Sequence, residues 1–329
     1  MSESLLQYAA QCYDLPSAPF TPLEGGHFSH VYQYSKAGRD YVLRITPPND
    51  DIDLQAMQSI LEWVHYLREH GAPVAGPVAS NRGKLIESCE EAGKTFLLTA
   101  FEKAPGVRGE TLSFEQWDLA LFRELGRVVG KLHAIAKTCA PATAALTRPQ
   151  WTETTNCFHW PQPLDPSQVQ VQAQRARLHA HIAALPKDPE GFGLIHADIH
   201  FANIFVVPET TQMTVFDFDD CVYGWYAMDV AMGLFDILVL YPGEDKVAFA
   251  GRFLNAYLEG YRRETPFGDF WVRQLPYFLK LLETEIYVML HRDYTPEDDD
   301  PWVSRFMPGR RARLEAGLPY VDLDFTSGW

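Results

Sequence analysis

Short apolar runs alternate with polar turns through the first hundred residues, a pattern typical of antiparallel strands. Two runs, 31–34 and 41–45, predict a β-hairpin, and a second pair, 84–88 and 95–101, predicts another. Between the two hairpins, apolar positions recur at helical spacing over residues 54–70 and predict one helix. The amino-terminal region is therefore expected to be strand-rich with one helix.

The rest of the chain has mainly helical periodicity. Apolar side chains follow a 3.6-residue period over 117–135, which predicts a helix of some twenty residues, and again over 271–289, where the stripe is expected to lie in the core. Two short β-like runs, 204–207 and 213–216, predict a further hairpin between them. The second region is thus expected to be helical around one hairpin.

Composition narrows the class of protein. Of the 329 residues, 47% are hydrophobic and 22% are charged, which is ordinary globular usage. Lys and Arg number 28 against 43 Asp and Glu, and the resulting charge of −15 repels phosphate backbones and anionic lipid surfaces. Neither nucleic acid nor a membrane is expected as a partner.

Cysteine usage and the amino terminus bear on the compartment. The five cysteines form no CxxC pair, and an odd, scattered set indicates reduced thiols rather than a disulfide framework. The first residues contain no basic segment followed by an apolar run, so no export signal is expected. These features predict a cytoplasmic protein.

The densest polar cluster lies in the apolar stretch 194–204. It reads His196-x-Asp198-x-x-x-x-Asn203, and Asp217 follows after the predicted hairpin. Phosphoryl transfer needs a carboxylate that orients or deprotonates the attacking hydroxyl, and oxygen ligands that hold Mg²⁺ on the nucleotide phosphates. The spacing HxDxxxxN is that of a kinase catalytic loop. The cluster therefore predicts magnesium-assisted phosphoryl transfer.

At these motifs the sequence resembles the aminoglycoside phosphotransferase and choline kinase-like family of protein-kinase-like enzymes. The HxDxxxxN loop and the segment VFDFD at 215–219 carry the resemblance. It implies an α+β, bilobal protein-kinase-like fold, with a small strand-rich N-lobe and a larger helical C-lobe. Residues 1–102 would form the nucleotide-binding N-lobe, and residues 103–329 the C-lobe with catalytic loop, metal ligands and acceptor site.

The resemblance also implies a role for each matching residue of the catalytic region. Asp198 would orient or deprotonate the acceptor hydroxyl, while Asn203 and Asp217 would be the Mg²⁺ ligands. His196 would brace the loop rather than transfer a proton. Asp229 would hold the loop backbone.

Further residues would bind the nucleotide, either ATP or GTP. Gly25 and Gly26 would let a hairpin turn approach the phosphates closely, and Ser29 would add a donor there. The linker between the lobes would offer backbone groups to the adenine edge through three residues: Thr99, Phe101 and Glu102.

One position departs from the family pattern. Arg44 occupies the strand position where such kinases usually carry Lys. Arg keeps the positive charge, but its planar fork differs from a compact ammonium group, so the exchange is not conservative by itself. Glu62 on the following predicted helix is the expected ion-pair partner of Arg44, with Glu69 as the alternative.

The expected function is ATP- or GTP-dependent phosphorylation of a hydroxyl on a small molecule, with an aminoglycoside-, choline- or homoserine-like acceptor. The charge of −15 favours a cationic acceptor. The same residues would serve a Ser/Thr protein kinase of this fold, and an inactive nucleotide-binding member is a further alternative. The sequence leaves open whether the protein is a monomer or a homodimer.

A metallohydrolase is an alternative from a different class. His196, Asp198 and His200 alternate along the chain, and a strand would project all three to one face as metal ligands. That interpretation leaves Asn203 and Asp217 unexplained, and the sequence offers no second ligand cluster. The kinase interpretation is therefore preferred.

Overall fold

The computed structural model describes residues 1–16, 19–23, 29–47, 54–139, 148–161, 164–291, 295, 300–326 and 328–329. Gly25 and Gly26 lie outside this part of the chain. The described residues fall into two compact units. Those of Met1–Pro105, Pro141–Arg148 and Thr214–Asp219 form the first unit, and those of Gly106–Ala140, Pro149–Met213 and Asp220–Trp329 form the second.

The first unit is built on an antiparallel sheet of six strands: β1 (Thr21–Pro22), β2 (His30–Lys36), β3 (Arg39–Thr46), β4 (Pro77–Val78), β5 (Ile86–Glu91) and β6 (Lys94–Glu102). The strand order is β1-β2-β3-β6-β4, with β5 also paired to β6. Both predicted hairpins are confirmed, as β2–β3 and β5–β6. The predicted helix is confirmed as α2 (Leu54–Glu69), but the expectation of one helix is wrong, because a further helix, α1 (Glu3–Cys12), precedes the sheet.

The buried core of the first unit covers one face of β3 and leaves the opposite face for polar side chains. One buried cluster joins α1 to the sheet, with members that include Leu5, Leu43, Ile45 and Leu98. Because successive side chains of a strand point to opposite faces, Arg44 lies on the face opposite Leu43 and Ile45. The sequence alternation in β3 thus turns Arg44 away from this core.

The second unit contains the remaining α-helices and strands of the described residues, except that the last two residues of β10 belong to the first unit: β7 (Val107–Arg108), α3 (Leu119–Thr138), α4 (Val169–Ala183), β8 (Phe192–Ile195), β9 (Ile204–Val207), β10 (Gln212–Val215), β11 (Val222–Trp225), α5 (Tyr226–Leu240), α6 (Lys246–Tyr261), α7 (Asp269–Val272), α8 (Leu275–Leu290), α9 (Pro301–Phe306) and α10 (Arg310–Glu315). The predicted hairpin corresponds to β9 and β10, which lie side by side in a small sheet of order β10-β9-β7. Strand β8 pairs with β11.

Helix α5 lies at the centre of the second unit. Every residue from Tyr226 to Val239 is buried, so the helix is surrounded by other elements over almost its whole length. Helices α3 and α6 pack closely beside it: a Cβ on Gly126 would lie 1.9 Å from the carbonyl oxygen of Tyr257, so a larger residue would force the two helices apart. Polar residues carried by α5 are therefore buried and need partners.

The helix predicted across 271–289 is in fact two helices. Helix α7 ends at Val272 and α8 begins at Leu275, with Pro276 in its first turn. Proline lacks the N–H that a continuous helix requires and is accommodated at a helix start. The stripe itself is buried as expected, since Leu275, Phe278 and Leu282 are inaccessible to solvent. Within the described residues, no helix combines the length and apolar character needed to cross a bilayer.

Candidate active site

The predicted catalytic loop runs from β8 to β9 and is held by Asp229 of α5. The backbone N–H groups of His196 and Ala197 donate to the two oxygens of the Asp229 carboxylate, at 2.9 and 2.8 Å. Ala197 has a φ of +65°, a left-handed conformation that is unfavourable for a residue with a Cβ. The two hydrogen bonds compensate for that strain, and the expected role of Asp229 is confirmed.

His133 of α3 completes the surroundings of Asp229. Its Nε2 lies 3.0 Å from Asp229 Oδ2, and its Nδ1 lies 2.8 Å from the Tyr261 hydroxyl. Burial lowers the pKa of His133 despite the neighbouring carboxylate. Burial acts to raise the pKa of Asp229, but the hydrogen bond and charge of His133 outweigh it, with His196 contributing, and the net shift is downward. Asp229 is therefore ionised near neutral pH, and His133 bridges its carboxylate to the Tyr261 hydroxyl through its two ring nitrogens.

The Asp198 carboxylate is contacted differently at its two oxygens. Oδ2 accepts a hydrogen bond from Asn203 Nδ2 at 2.9 Å and lies 3.3 Å from His200 Nε2. Oδ1 lies 3.9 Å from the Cys157 sulfur, whose thiol donates to the Ala197 carbonyl oxygen at 3.1 Å. The geometry fixes the carboxylate through Oδ2 and leaves Oδ1 as the oxygen better placed for an incoming group.

Asn203 is a suitable cation ligand by the orientation of its amide. Its Nδ2 donates to both the backbone and the side-chain oxygen of Asp198, at 3.0 and 2.9 Å. Because Nδ2 faces Asp198, the amide oxygen Oδ1 of Asn203 is available as an acceptor, and no described residue donates a hydrogen bond to it. An amide oxygen is one of the hard ligands that Mg²⁺ accepts.

The alternative metal site at His196, Asp198 and His200 is not formed. His196 Nδ1 accepts the backbone N–H of Asp198 at 3.2 Å, and His200 Nδ1 accepts the backbone N–H of Ala202 at 3.2 Å. In each ring, one nitrogen that could bind a metal instead accepts a hydrogen bond from the backbone. Across the described ranges, no group of three or more His, Cys, Asp or Glu side chains could hold a metal ion.

A second polar cluster surrounds Arg44 in the first unit. The guanidinium makes a bidentate ion pair with Asp219, in which Nη1 lies 2.9 Å from Oδ1 and Nη2 contacts Oδ2. Nε donates to Ser29 Oγ at 2.9 Å, and Asp217 Oδ1 lies 3.7 Å from Nη1. Burial acts to lower the pKa of Arg44, but the charges of Asp219 and Asp217 raise it overall.

The prediction that Glu62 forms an ion pair with Arg44 is wrong. Glu62 accepts a hydrogen bond from Gln58 Nε2 at 2.9 Å, one turn earlier on α2, and makes no contact with Arg44. The segment that supplies Asp219 is held within the first unit by backbone hydrogen bonds: Val215 N donates to Pro73 O at 2.9 Å and Ala75 N donates to Val215 O at 3.0 Å. These bonds bring the VFDFD motif to the face of the sheet that carries Arg44.

The residues expected to form the interlobe linker lie in β6 instead. Thr99 is paired with Arg44 on one side and Ile86 on the other. Phe101 is paired with Val42, and the backbone N–H of Glu102 donates to Gly76 O at 2.9 Å. Strand pairing on both sides continues the strand to Glu102. The Thr99 hydroxyl is buried and has no hydrogen-bond partner within the described chain.

The structure thus assembles the predicted site residues in two groups. Asp198, Asn203 and His196 are together in the second unit, and Arg44, Ser29 and Asp217 are together in the first. Sequence reasoning missed Asp219 as the partner of Arg44 and Asp236 of α5, which contacts the catalytic loop. The usable signal for Asp219 was its place in the VFDFD motif, which also supplies Asp217.

Comparison with known proteins identifies the class. Residues 19–267 match the phosphotransferase enzyme family, and the chain belongs to that family. It is 30% identical over 305 residues to amicoumacin kinase from Bacillus subtilis (strain 168), a match that covers 91% of this chain and 88% of the relative. The protein is therefore a small-molecule kinase, a phosphotransferase with an alcohol group as acceptor.

Solved structures agree with this assignment. An amicoumacin kinase in complex with AMP-PNP, Ca²⁺ and Ami has a TM-score of 0.87 at 29% identity, covering 98% of this chain and 96% of the other. A microcompartment-associated aminopropanol kinase has a TM-score of 0.71 at 21% identity, with 96% of each chain covered, which shows the shared fold. The expected α+β, protein-kinase-like fold is confirmed.

Proposed function

We propose that this protein transfers the γ-phosphoryl group of ATP, with Mg²⁺, to a hydroxyl of an amicoumacin-like antibiotic. The observation that carries the proposal is the loop in which Asp229 fixes the backbone and Asn203 fixes the Asp198 carboxylate. The relationship to amicoumacin kinase, which extends over nine-tenths of the chain, supports the choice of acceptor.

In this proposal Asp198 orients the acceptor hydroxyl. A hydroxyl that donates to Oδ1 would be aligned for attack, because Asn203 and His200 already engage Oδ2. Asp198 would also accept the proton as the new phosphate ester forms. The neighbouring Cys157 is not expected to compete as a nucleophile, because burial and the nearby Asp198 and Asp220 raise the pKa of its thiol well above the usual value.

The metal would be held by Asn203 Oδ1 and the Asp217 carboxylate. When bound, Mg²⁺ supplies positive charge that neutralises the phosphate oxygens during transfer. The donor set fits a hard divalent cation, since it combines an amide oxygen with a carboxylate. The amicoumacin kinase complex contains Ca²⁺, which prefers the same ligand types.

The nucleotide would be bound by the first unit. Arg44 would contact phosphate oxygens with Ser29 beside it, and Gly25 and Gly26 would present backbone N–H groups. The end of β6, from Thr99 through Phe101 to Glu102, would border the adenine. The AMP-PNP in the amicoumacin kinase complex favours ATP over GTP.

A cationic acceptor is part of the proposal. Asp198 and Asp220 both act on the pKa of the Cys157 thiol, so two carboxylates lie near one point of the second unit. Together with the charge of −15, they favour an ammonium-bearing acceptor. Its KM should rise with ionic strength, since the Debye length falls to roughly 10 Å at 0.1 M salt. A KM indifferent to salt would contradict this part of the proposal.

The test is release of ADP from ATP, or of GDP from GTP, with Mg²⁺ in the presence of single candidate acceptors. The panel contains amicoumacin, aminopropanol, spectinomycin, choline, homoserine and a serine-containing peptide. We expect stimulated ADP release with amicoumacin and a product heavier by one phosphoryl group. Asp198→Asn is the matched control, because it keeps the size of the side chain. Stimulation by the peptide alone would favour the protein-kinase alternative, and no stimulation by amicoumacin would overturn the proposed acceptor.

A further inference from the structure

Helix α5 carries a second buried carboxylate that contacts the catalytic loop. Asp236 lies seven residues after Asp229, two helical turns further along the same face. Its Oδ2 accepts the backbone N–H of Phe201 at 3.1 Å. Asp229 therefore holds the start of the loop, at His196 and Ala197, and Asp236 holds its end.

The other oxygen of Asp236 is occupied by a residue from near the carboxyl terminus. Trp302 Nε1 donates to Asp236 Oδ1 at 2.8 Å. Trp302 lies in the first turn of α9, which Asp300 caps by accepting the backbone N–H groups of Trp302 and Val303. Its ring stacks on Phe306, with 5.1 Å between ring centroids. Trp302 is outside the residues 19–267 that match the family.

We propose that Asp236 and Trp302 are positioning residues for phosphoryl transfer. Helix α9 then contributes to the geometry of the active site through Trp302. The inference rests on the proposed function, because it assigns the loop 196–203 to catalysis. A short chain of contacts connects Trp302 to Asp198. Trp302 fixes the Asp236 carboxylate, and Asp236 accepts the backbone N–H of Phe201. Phe201 opens the turn that ends at Asn203, whose amide holds Asp198 Oδ2.

Because Asp236 is buried, each of its two carboxylate oxygens needs a hydrogen-bond donor. The residue is only 6% exposed, so an oxygen that loses its donor cannot be fully compensated by water. Without the indole N–H, the carboxylate is free to rotate away from Phe201. The expected consequence is misplacement of Asn203 and Asp198 by a fraction of an ångström, which slows transfer without removing any group that binds the nucleotide.

The first test is Trp302→Phe, which keeps an aromatic ring on α9 and removes its N–H. We expect kcat for amicoumacin phosphorylation to fall about 3- to 10-fold, with the KM for ATP unchanged within about twofold. Tyr320→Phe is the matched control. It also removes one hydrogen bond to α5, from the Tyr320 hydroxyl to the Phe235 carbonyl at 2.9 Å, and leaves Asp236 untouched.

Asp236→Asn provides a second, isosteric variant. An amide has one acceptor oxygen, so it can serve Phe201 or Trp302 but presents N–H against the other donor. Replacing Trp302 by Phe in this background removes the competing donor. We therefore expect the double variant to have a higher kcat than Asp236→Asn alone, a sign reversal that a general loss of stability would not produce.

Hydrogen exchange at the Phe201 amide gives a measurement that needs no acceptor. We expect faster exchange in Trp302→Phe and in Asp236→Asn than in the wild type, and no change in Tyr320→Phe. Equal effects of Trp302→Phe and Tyr320→Phe on kcat and exchange, or no effect of Trp302→Phe on either, would overturn the inference. Failure of the proposed function is distinguishable, because it would appear as full activity of Asp198→Asn or as a wild type that does not phosphorylate amicoumacin.

Discussion

The ion pair between Arg44 and Asp219 yields a prediction whose size follows from the structure. The perturbation is a double-mutant cycle with Arg44→Ala and Asp219→Ala. Only 16% of the Arg44 side chain and 21% of the Asp219 side chain are exposed, and the pair is bidentate. The pair therefore lies closer to a buried ion pair than to a surface one.

The magnitude can be bracketed from these exposures. Exposed ion pairs contribute about 0–1 kcal/mol, whereas removing one partner of a fully buried pair costs about 3–5 kcal/mol. With about a fifth of each side chain exposed, we expect each single substitution to lower the free energy of unfolding by about 2–3 kcal/mol. The coupling energy between the two positions should be about 1–3 kcal/mol. The bonds of Arg44 to Ser29 and Asp217 cancel in the cycle.

The assay is urea-induced unfolding of the wild type, the two single variants and the double variant, without nucleotide. A parallel cycle of Arg44→Ala with Glu62→Ala is the matched control. Because Glu62 contacts Gln58 instead, that cycle should be additive within about 0.5 kcal/mol. A coupling below about 0.5 kcal/mol for Arg44 with Asp219, or an equal coupling for Arg44 with Glu62, would refute the reasoning.

Three further predictions concern single carboxylates. Asp198→Asn should lower kcat by about 10²–10⁴-fold while calorimetry finds nucleotide affinity retained; near-normal turnover would contradict its catalytic role. Asp217→Ala should abolish the gain in nucleotide affinity on adding Mg²⁺, measured by titration with and without the metal, and an undiminished gain would remove Asp217 from the site. Asp229→Asn should lower the free energy of unfolding at pH 7. Because the folded-state pKa of Asp229 lies below the ordinary value of 3.8, the wild type's advantage should be complete above that value and be lost as the pH falls below it. An advantage that does not change with pH in urea unfolding would contradict the ionised state of Asp229.

Local patterns predicted the elements of this fold well, because the signals for hairpins and helices are contained within a few residues. The β2–β3 hairpin and α2 follow from alternation and helical periodicity alone. The end of β6 was missed because it depends on partners elsewhere in the chain. Glu102 belongs to the strand through pairing with Tyr41 and a hydrogen bond to Gly76, and neither is visible in the sequence around it.

In the candidate active site, too, the local motif was predictable from the sequence and the contacts between distant residues were not. The loop from His196 to Asn203 is a contiguous motif, so its members could be recognised from their spacing alone. Arg44 and Asp219 are 175 residues apart, so their pairing is a product of the tertiary fold. The resemblance suggested Glu62, which is closer in sequence but engaged within its own helix. Trp302 and Asp236 are likewise joined only by the packing of α9 against α5.

Backbone conformation gives an independent indication of where the tertiary structure overrides local preference. Six described residues other than glycine have a positive φ. Three of them, Ala37, Ala92 and Thr211, lie in the turns of hairpins, where such values are common. Ala197 and Asp217 lie instead in the two motifs that carry the predicted chemistry. A left-handed conformation at such a residue costs about 1–3 kcal/mol, and the surrounding structure has to impose it. At Ala197 that constraint is the N–H bond to buried Asp229. The motif with the most specific sequence signature is thus also one whose geometry depends on a carboxylate 32 residues away.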